Sequence, residues 1–78
     1  MIDPGQIEGW LREGLSCDHV AVSGDGRHFE AVIVSPAFRG KSRVQQHQLV
    51  YRALGNHMHA EIHALSMQTY TPEDWARR

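Results

Sequence analysis

Ile62-His63-Ala64-Leu65-Ser66-Met67-Gln68-Thr69-Tyr70-Thr71-Pro72-Glu73-Asp74-Trp75 reads as a β-strand with an imidazole near its start, running into a capped helical turn closed by a tryptophan. Thr71-Pro72-Glu73-Asp74 caps this short terminal helix. Upstream, Ser42 to Met58 forms the main helix. Ser42 and Gln45 make a capping box. Val44, His47, Tyr51, Leu54 and Met58, with Val50 beside them, recur at three- and four-residue steps and define its expected apolar face. Gln45, Gln48, Arg52 and Asn56 fall on the wet side. The last strand is expected over Glu61 to Tyr70.

Working back toward the N-terminus, Asp18 to Ser35 carries strand periodicity. Val20 and Val22 alternate with Ala21 and Ser23, and His28-Phe29-Glu30-Ala31-Val32-Ile33-Val34 is a β-rich run stopped by Pro36. Between them, Ser23-Gly24-Asp25-Gly26-Arg27 has the chemistry of a tight connection, so the pair reads as a hairpin. Asp3-Pro4-Gly5-Gln6 opens a first helix with its own capping box, and Ile7, Trp10, Leu11 and Leu15 give it an apolar face. Gly9 and Gly14 weaken that helix, so packing must hold it. The order is helix, strand, strand, helix, strand, short helix. A helix between the second and third strands makes a crossover, which allows those two strands to run parallel. The expected fold is α+β: an αββαβ(α) two-layer sandwich with a three-stranded mixed sheet and helices on one face.

The chain has 78 residues, enough for a single domain with a modest core. Its one cysteine, Cys17, rules out an internal disulfide and any cysteine-only metal site. A reducing compartment follows, and with no signal-like or membrane-spanning segment the expected location is cytoplasmic. The formal net charge of −1 lacks the positive excess that drives sequence-independent nucleic-acid binding. No nucleophile elbow, phosphate-cradling loop or paired-carboxylate arrangement is present, which argues against an enzyme. Cys17 is followed by Asp18 and adjoins no cation in sequence. A small half-buried residue is its expected role.

Six histidines are the candidate ligands that remain. On pattern alone, His63 is an ordinary strand residue with one ring nitrogen free, and His28 is a solvated hairpin residue. His47, between Val44 and Tyr51, is assigned to the core, where its polar nitrogen needs a partner. His57 and His59 end the main helix, where a cation is mildly favourable. His19 opens the first strand. Arg39, Lys41 and Arg43 surround Gly40 ahead of the main helix. Three cations there can touch phosphates, although a solvated loop explains them equally well.

Two phrases, Phe38 to Tyr51 and His63 to Trp75, resemble the BolA-like family, and the resemblance extends from Gln6 to Trp75. It implies the αββαβ order and a type II KH-like arrangement. It also implies a non-enzymatic iron–sulfur partner that binds a monothiol glutaredoxin and shares a [2Fe–2S] cluster. His63 matches the histidine of the family's His-Ala-Leu motif, an iron ligand in that pairing. The family's hairpin loop carries a further candidate ligand, cysteine in one subgroup and histidine in another, and His28 fills that position here. The partner's cysteine and glutathione are implied as the thiolate donors. Alone, the chain is expected to hold no cofactor and to be a monomer or weak homodimer. The alternative implied by the family is a KH-like DNA-binding regulator of stress response or cell morphology, using Arg39, Lys41 and Arg43. Against that, the family's two arginines flanking the helix histidine are here Gln46 and Gln48.

Overall fold

A computed structural model describes residues 2–78. Helix α1 spans Pro4–Gly14, with Asp3 and Gln6 closing the capping box read from the sequence. Strands β1 (His19–Gly24) and β2 (His28–Val34) form the antiparallel hairpin, paired from His19↔Val34 to Gly24↔Phe29. A 3₁₀ turn at Pro36–Phe38 leads to α2 (Arg43–Leu54), which has the Ser42–Gln45 capping box. A short α3 (His57–Ala60) precedes β3 (Ala64–Tyr70), and α4 covers Pro72–Arg77 behind the Thr71 cap. The sheet order is β1-β2-β3, with β3 parallel to β2 from His28↔Ala64 to Val34↔Tyr70. The mixed α+β sheet expected from the crossover is therefore the one found.

Alternation along the strands turns Val20, Phe29, Ala31 and Ile33 into the layer occupied by α1 and α2. There they join Ile7, Leu11, Phe38, Val50, Leu54 and Ile62 in one buried cluster. Gly14 lets the two helices meet: a Cβ there would sit 2.7 Å from the Ala53 carbonyl oxygen and 2.9 Å from its Cβ. The glycine that weakens α1 locally is thus what allows it to pack. The terminal helix does something different. His19, Val34 and Tyr70 lie abreast on the opposite sheet face. Trp75 of α4 stacks on His19 at 5.0 Å and tilts against Tyr70 at 5.2 Å, so α4 closes that end of the second face.

Four sequence expectations are corrected. The main helix does not run unbroken to Met58. It ends at Leu54 because Gly55 takes φ +56°, and its amide caps the Tyr51 carbonyl. The last strand starts at Ala64, since Glu61 closes α3 and Ile62 is taken into the core.

The inward face of α2 is also rotated, by about the 100° that separates successive helical residues. Val50 and Leu54 are buried, whereas Val44 is 66% and Tyr51 44% exposed. His47 is only partly buried, contrary to its core assignment. The cause is Gln46, which turns inward because the fold satisfies its amide. Its Nε2 donates to the Phe38 and Lys41 carbonyls (3.3 and 3.1 Å), and its Oε1 accepts from the Thr69 hydroxyl (2.6 Å).

Candidate functional site

The hairpin connection is built around Gly24 and Asp25. An added Cβ on Gly24 would lie 2.4 Å from the His28 carbonyl oxygen and 2.5 Å from Phe29 Cδ1, so only glycine fits where the strands converge. Asp25 Oδ1 accepts from the amides of Arg27 and His28, each at 2.9 Å, and Gly26 supplies a φ of +99°. The bond from the His28 amide, then that from Arg27, holds the Asp25 carboxyl below the ordinary aspartate pKa. The backbone that presents His28 is therefore fixed by a charged acceptor. Its sequence signal is the Asp25-Gly26 pair of the turn.

His63 is presented by a different device. Ile62 is 4% exposed, and its amide donates to the His57 carbonyl at 2.8 Å. The next residue is His63, exposed at the bend before β3. His57 itself is anchored: its ring stacks on Trp10 at 3.6 Å and its Nδ1 lies 2.5 Å from Glu61 Oε1. It is a structural post under the bend, standing in α3 beyond the end of the main helix rather than in that helix's last turn as the sequence implied.

Parallel pairing brings the backbone positions of the two candidate ligands to one end of the sheet. His28 faces Ala64 in the register, and the Ala64 amide donates to the Arg27 carbonyl at 3.2 Å. His63 therefore stands one residue before the partner of His28, with both side chains exposed at one corner of the sheet. Among the described residues no three His, Cys, Asp or Glu side chains gather as a metal-binding group. Two imidazoles suit a metal centre that a second molecule completes, and are too few for a closed four-ligand site.

The remaining candidates separate. Cys17 is half-buried and packs beside the core, with its thiol donating to the Leu15 carbonyl. Burial pushes the thiol pKa up, outweighing the downward pull of Arg12, a cation the sequence neighbours did not reveal. Arg39 is already paired: Nε and Nη2 donate to Glu73 Oε1 and Oε2 at 2.9 and 2.6 Å. That bidentate bond, more than charge attraction, holds the Glu73 carboxyl low and the Arg39 guanidinium high. It ties the loop before α2 to α4, a partnership across 34 residues with no local signature. Lys41 and Arg43 are exposed and enter no ion pair among the described residues.

The fold and corner define a class: a small α+β domain that offers two imidazoles outward. A profile described as BolA-like protein matches residues 13–74. The chain is 42% identical over 77 residues to the acid stress protein IbaG of Escherichia coli K12, covering 97% of this chain and 92% of that protein. It is 40% identical over 57 residues to the DNA-binding transcriptional regulator BolA of Haemophilus influenzae, covering 73% of this chain and 55% of that one. A solved bolA protein homologue from Coxiella burnetii superposes with a TM-score of 0.92 at 47% identity, over 99% of this chain and 100% of that one. The chain belongs to the BolA-like family.

Proposed function

We propose that this chain is a non-enzymatic partner protein that binds a monothiol glutaredoxin and shares a [2Fe–2S] cluster with it, for cluster trafficking or for iron and redox sensing. The observation that carries this reading is the single corner at which His28 and His63 are both exposed and both held by ordered backbone. His63 is the principal ligand and His28 the second. The partner's cysteine and glutathione provide the thiolates. A neutral imidazole is a good iron ligand, and exchanging thiolate for imidazole on one iron raises the potential of the centre. Ligand exchange is then the mechanism: the heteromeric cluster differs in stability and potential from one held by thiolates alone.

The test is co-purification with a monothiol glutaredoxin, with and without iron, read by visible absorption and circular dichroism. His63→Ala is expected to abolish the heteromeric spectrum and leave the far-ultraviolet spectrum of the fold unchanged. An unaltered cluster spectrum defeats the assignment.

The name of the Haemophilus influenzae relative favours a second reading, a KH-like DNA-binding regulator. With Arg39 engaged by Glu73 and Gln46 turned inward, that reading rests on Lys41 and Arg43. It requires salt-sensitive DNA binding that falls when both are neutralised, and no mobility shift at low salt removes it.

A further inference from the structure

The sheet ends at β3, and its outer edge is open. The Ala64 amide bonds to the Arg27 carbonyl and the Tyr70 carbonyl accepts from the Ser35 amide, so both end residues direct their backbone groups toward β2 and its flanks. Alternate residues of a strand point opposite ways, so Leu65, Met67 and Thr69 direct theirs outward. No backbone bond from another described segment reaches them. Edge strands are ordinarily blunted by charge, proline or a bulge. Ala64–Tyr70 contains neither a charged residue nor a proline.

The flank of α2 overhangs this edge. Arg43 and His47, one turn apart, line a cleft of about 270 Å³ with Met67, Gln68, Thr69 and Tyr70. Val44 and Tyr51 share the His47 stripe at three- and four-residue spacing and are the exposed large hydrophobics among the described residues. No carboxylate lines the cleft, and Arg43 is unpaired among the described residues, whereas Arg39 and Arg77 each hold an acid. Nε2 of His47 is enclosed and bonded to nothing in the described chain. The flank therefore presents a cation, apolar side chains and a row of open amides side by side.

We propose that this groove receives an extended, acid-bearing peptide segment of a partner protein, which adds to β3 as a fourth strand. Main-chain bonds to residues 65, 67 and 69 give the affinity. Alternate side chains give the specificity, apolar ones against Val44 and Tyr51 and a carboxylate against the Arg43 guanidinium, which can hold it bidentately. The cleft lies over Met67–Tyr70, toward the end of β3 remote from His63 and beginning about 13 Å from it at strand rise. None of its lining residues is His28 or His63.

The experiment is a selection of displayed random nonapeptides on the metal-free chain. Enriched sequences are then synthesised and titrated into ¹⁵N-labelled protein. Enrichment of alternating apolar and acidic segments is expected, with the largest shifts at the amides of residues 43, 44, 65, 67 and 69. Arg43→Glu is expected to weaken binding at least tenfold. It opens α2, where an acidic residue suits the helix dipole, so the fold should survive. A chain synthesised with an N-methyl group on the Met67 amide should lose binding in the same way while keeping its β2 pairing. The proposal is overturned by no enrichment, by peptides lacking a carboxylate, by shifts centred elsewhere, or by Arg43→Glu binding unchanged. Concentration-dependent broadening of the same amides without peptide also overturns it, because the edge is then filled by a second copy. No metal or glutaredoxin is used, so the result is separate from that at His28 and His63.

Discussion

Gly24→Ala is expected to be among the costliest single-methyl additions in the molecule, and the reason is geometric. The new Cβ would stand 2.4 Å from the His28 carbonyl oxygen and 3.0 Å from Phe29 Cα, both backbone atoms that cannot rotate away. The third neighbour, Phe29 Cδ1 at 2.5 Å, belongs to a ring only 1% exposed in the core. Relief requires the hairpin to open or the core to shift, and overpacking of that kind costs about 1–3 kcal/mol. With a urea m-value of about 1 kcal/mol/M, near the low end for small proteins, the midpoint should fall by about 1–3 M. Gly9→Ala is the internal control. Nothing lies within 4 Å of its added Cβ, and replacing glycine inside a helix gains about 0.5–1 kcal/mol. Equilibrium urea unfolding of the two variants beside the parent tests the argument. A Gly24→Ala midpoint equal to the parent's refutes the claim that this contact fixes the hairpin mouth and, through it, His28.

Two further outcomes are expected. Gly14→Ala should destabilise by about 1–3 kcal/mol despite the better helix former, because its Cβ meets Ala53 backbone across the α1–α2 contact; a stabilised variant in thermal unfolding contradicts this. The Asp25 bonds to the Arg27 and His28 amides should be complete above the ordinary aspartate pKa of about 3.9. They should be lost as the pH falls through the lower folded value, since the depressed carboxyl favours the folded turn only while ionised. Amide shifts of Arg27 and His28 should move in that acid window and be displaced at pH 7 in Asp25→Ala, and amides indifferent to both contradict the turn's role.

Local chemistry made much of this fold legible in the sequence. The Asp3–Gln6 and Ser42–Gln45 capping boxes and the Thr71 cap are where residue type predicts them, because each is closed within four residues. The Gly24-Asp25-Gly26 turn was equally readable. The phase of α2 was not, because a polar residue, Gln46, turns toward the sheet wherever distant groups satisfy its amide, here Phe38, Lys41 and Thr69. Gly55 did carry a stop signal, overlooked because Met58 continued the apolar spacing. The candidate site divides the same way. His63 and His28 were singled out by resemblance, but their meeting at one corner depends on the parallel register of β2 with β3, which no local pattern specifies. The Arg39–Glu73 pair, which weakens the nucleic-acid reading, is likewise long-range.

The most direct measurement of the central claim is pulsed electron paramagnetic resonance on the reduced cluster shared with a monothiol glutaredoxin, using chain labelled with ¹⁵N at histidine alone. Two ¹⁵N couplings are expected in the parent, one in His28→Ala, and loss of the shared cluster in His63→Ala. A reduced heteromeric cluster with no histidine nitrogen coupling would contradict the assignment of this corner as the ligand pair.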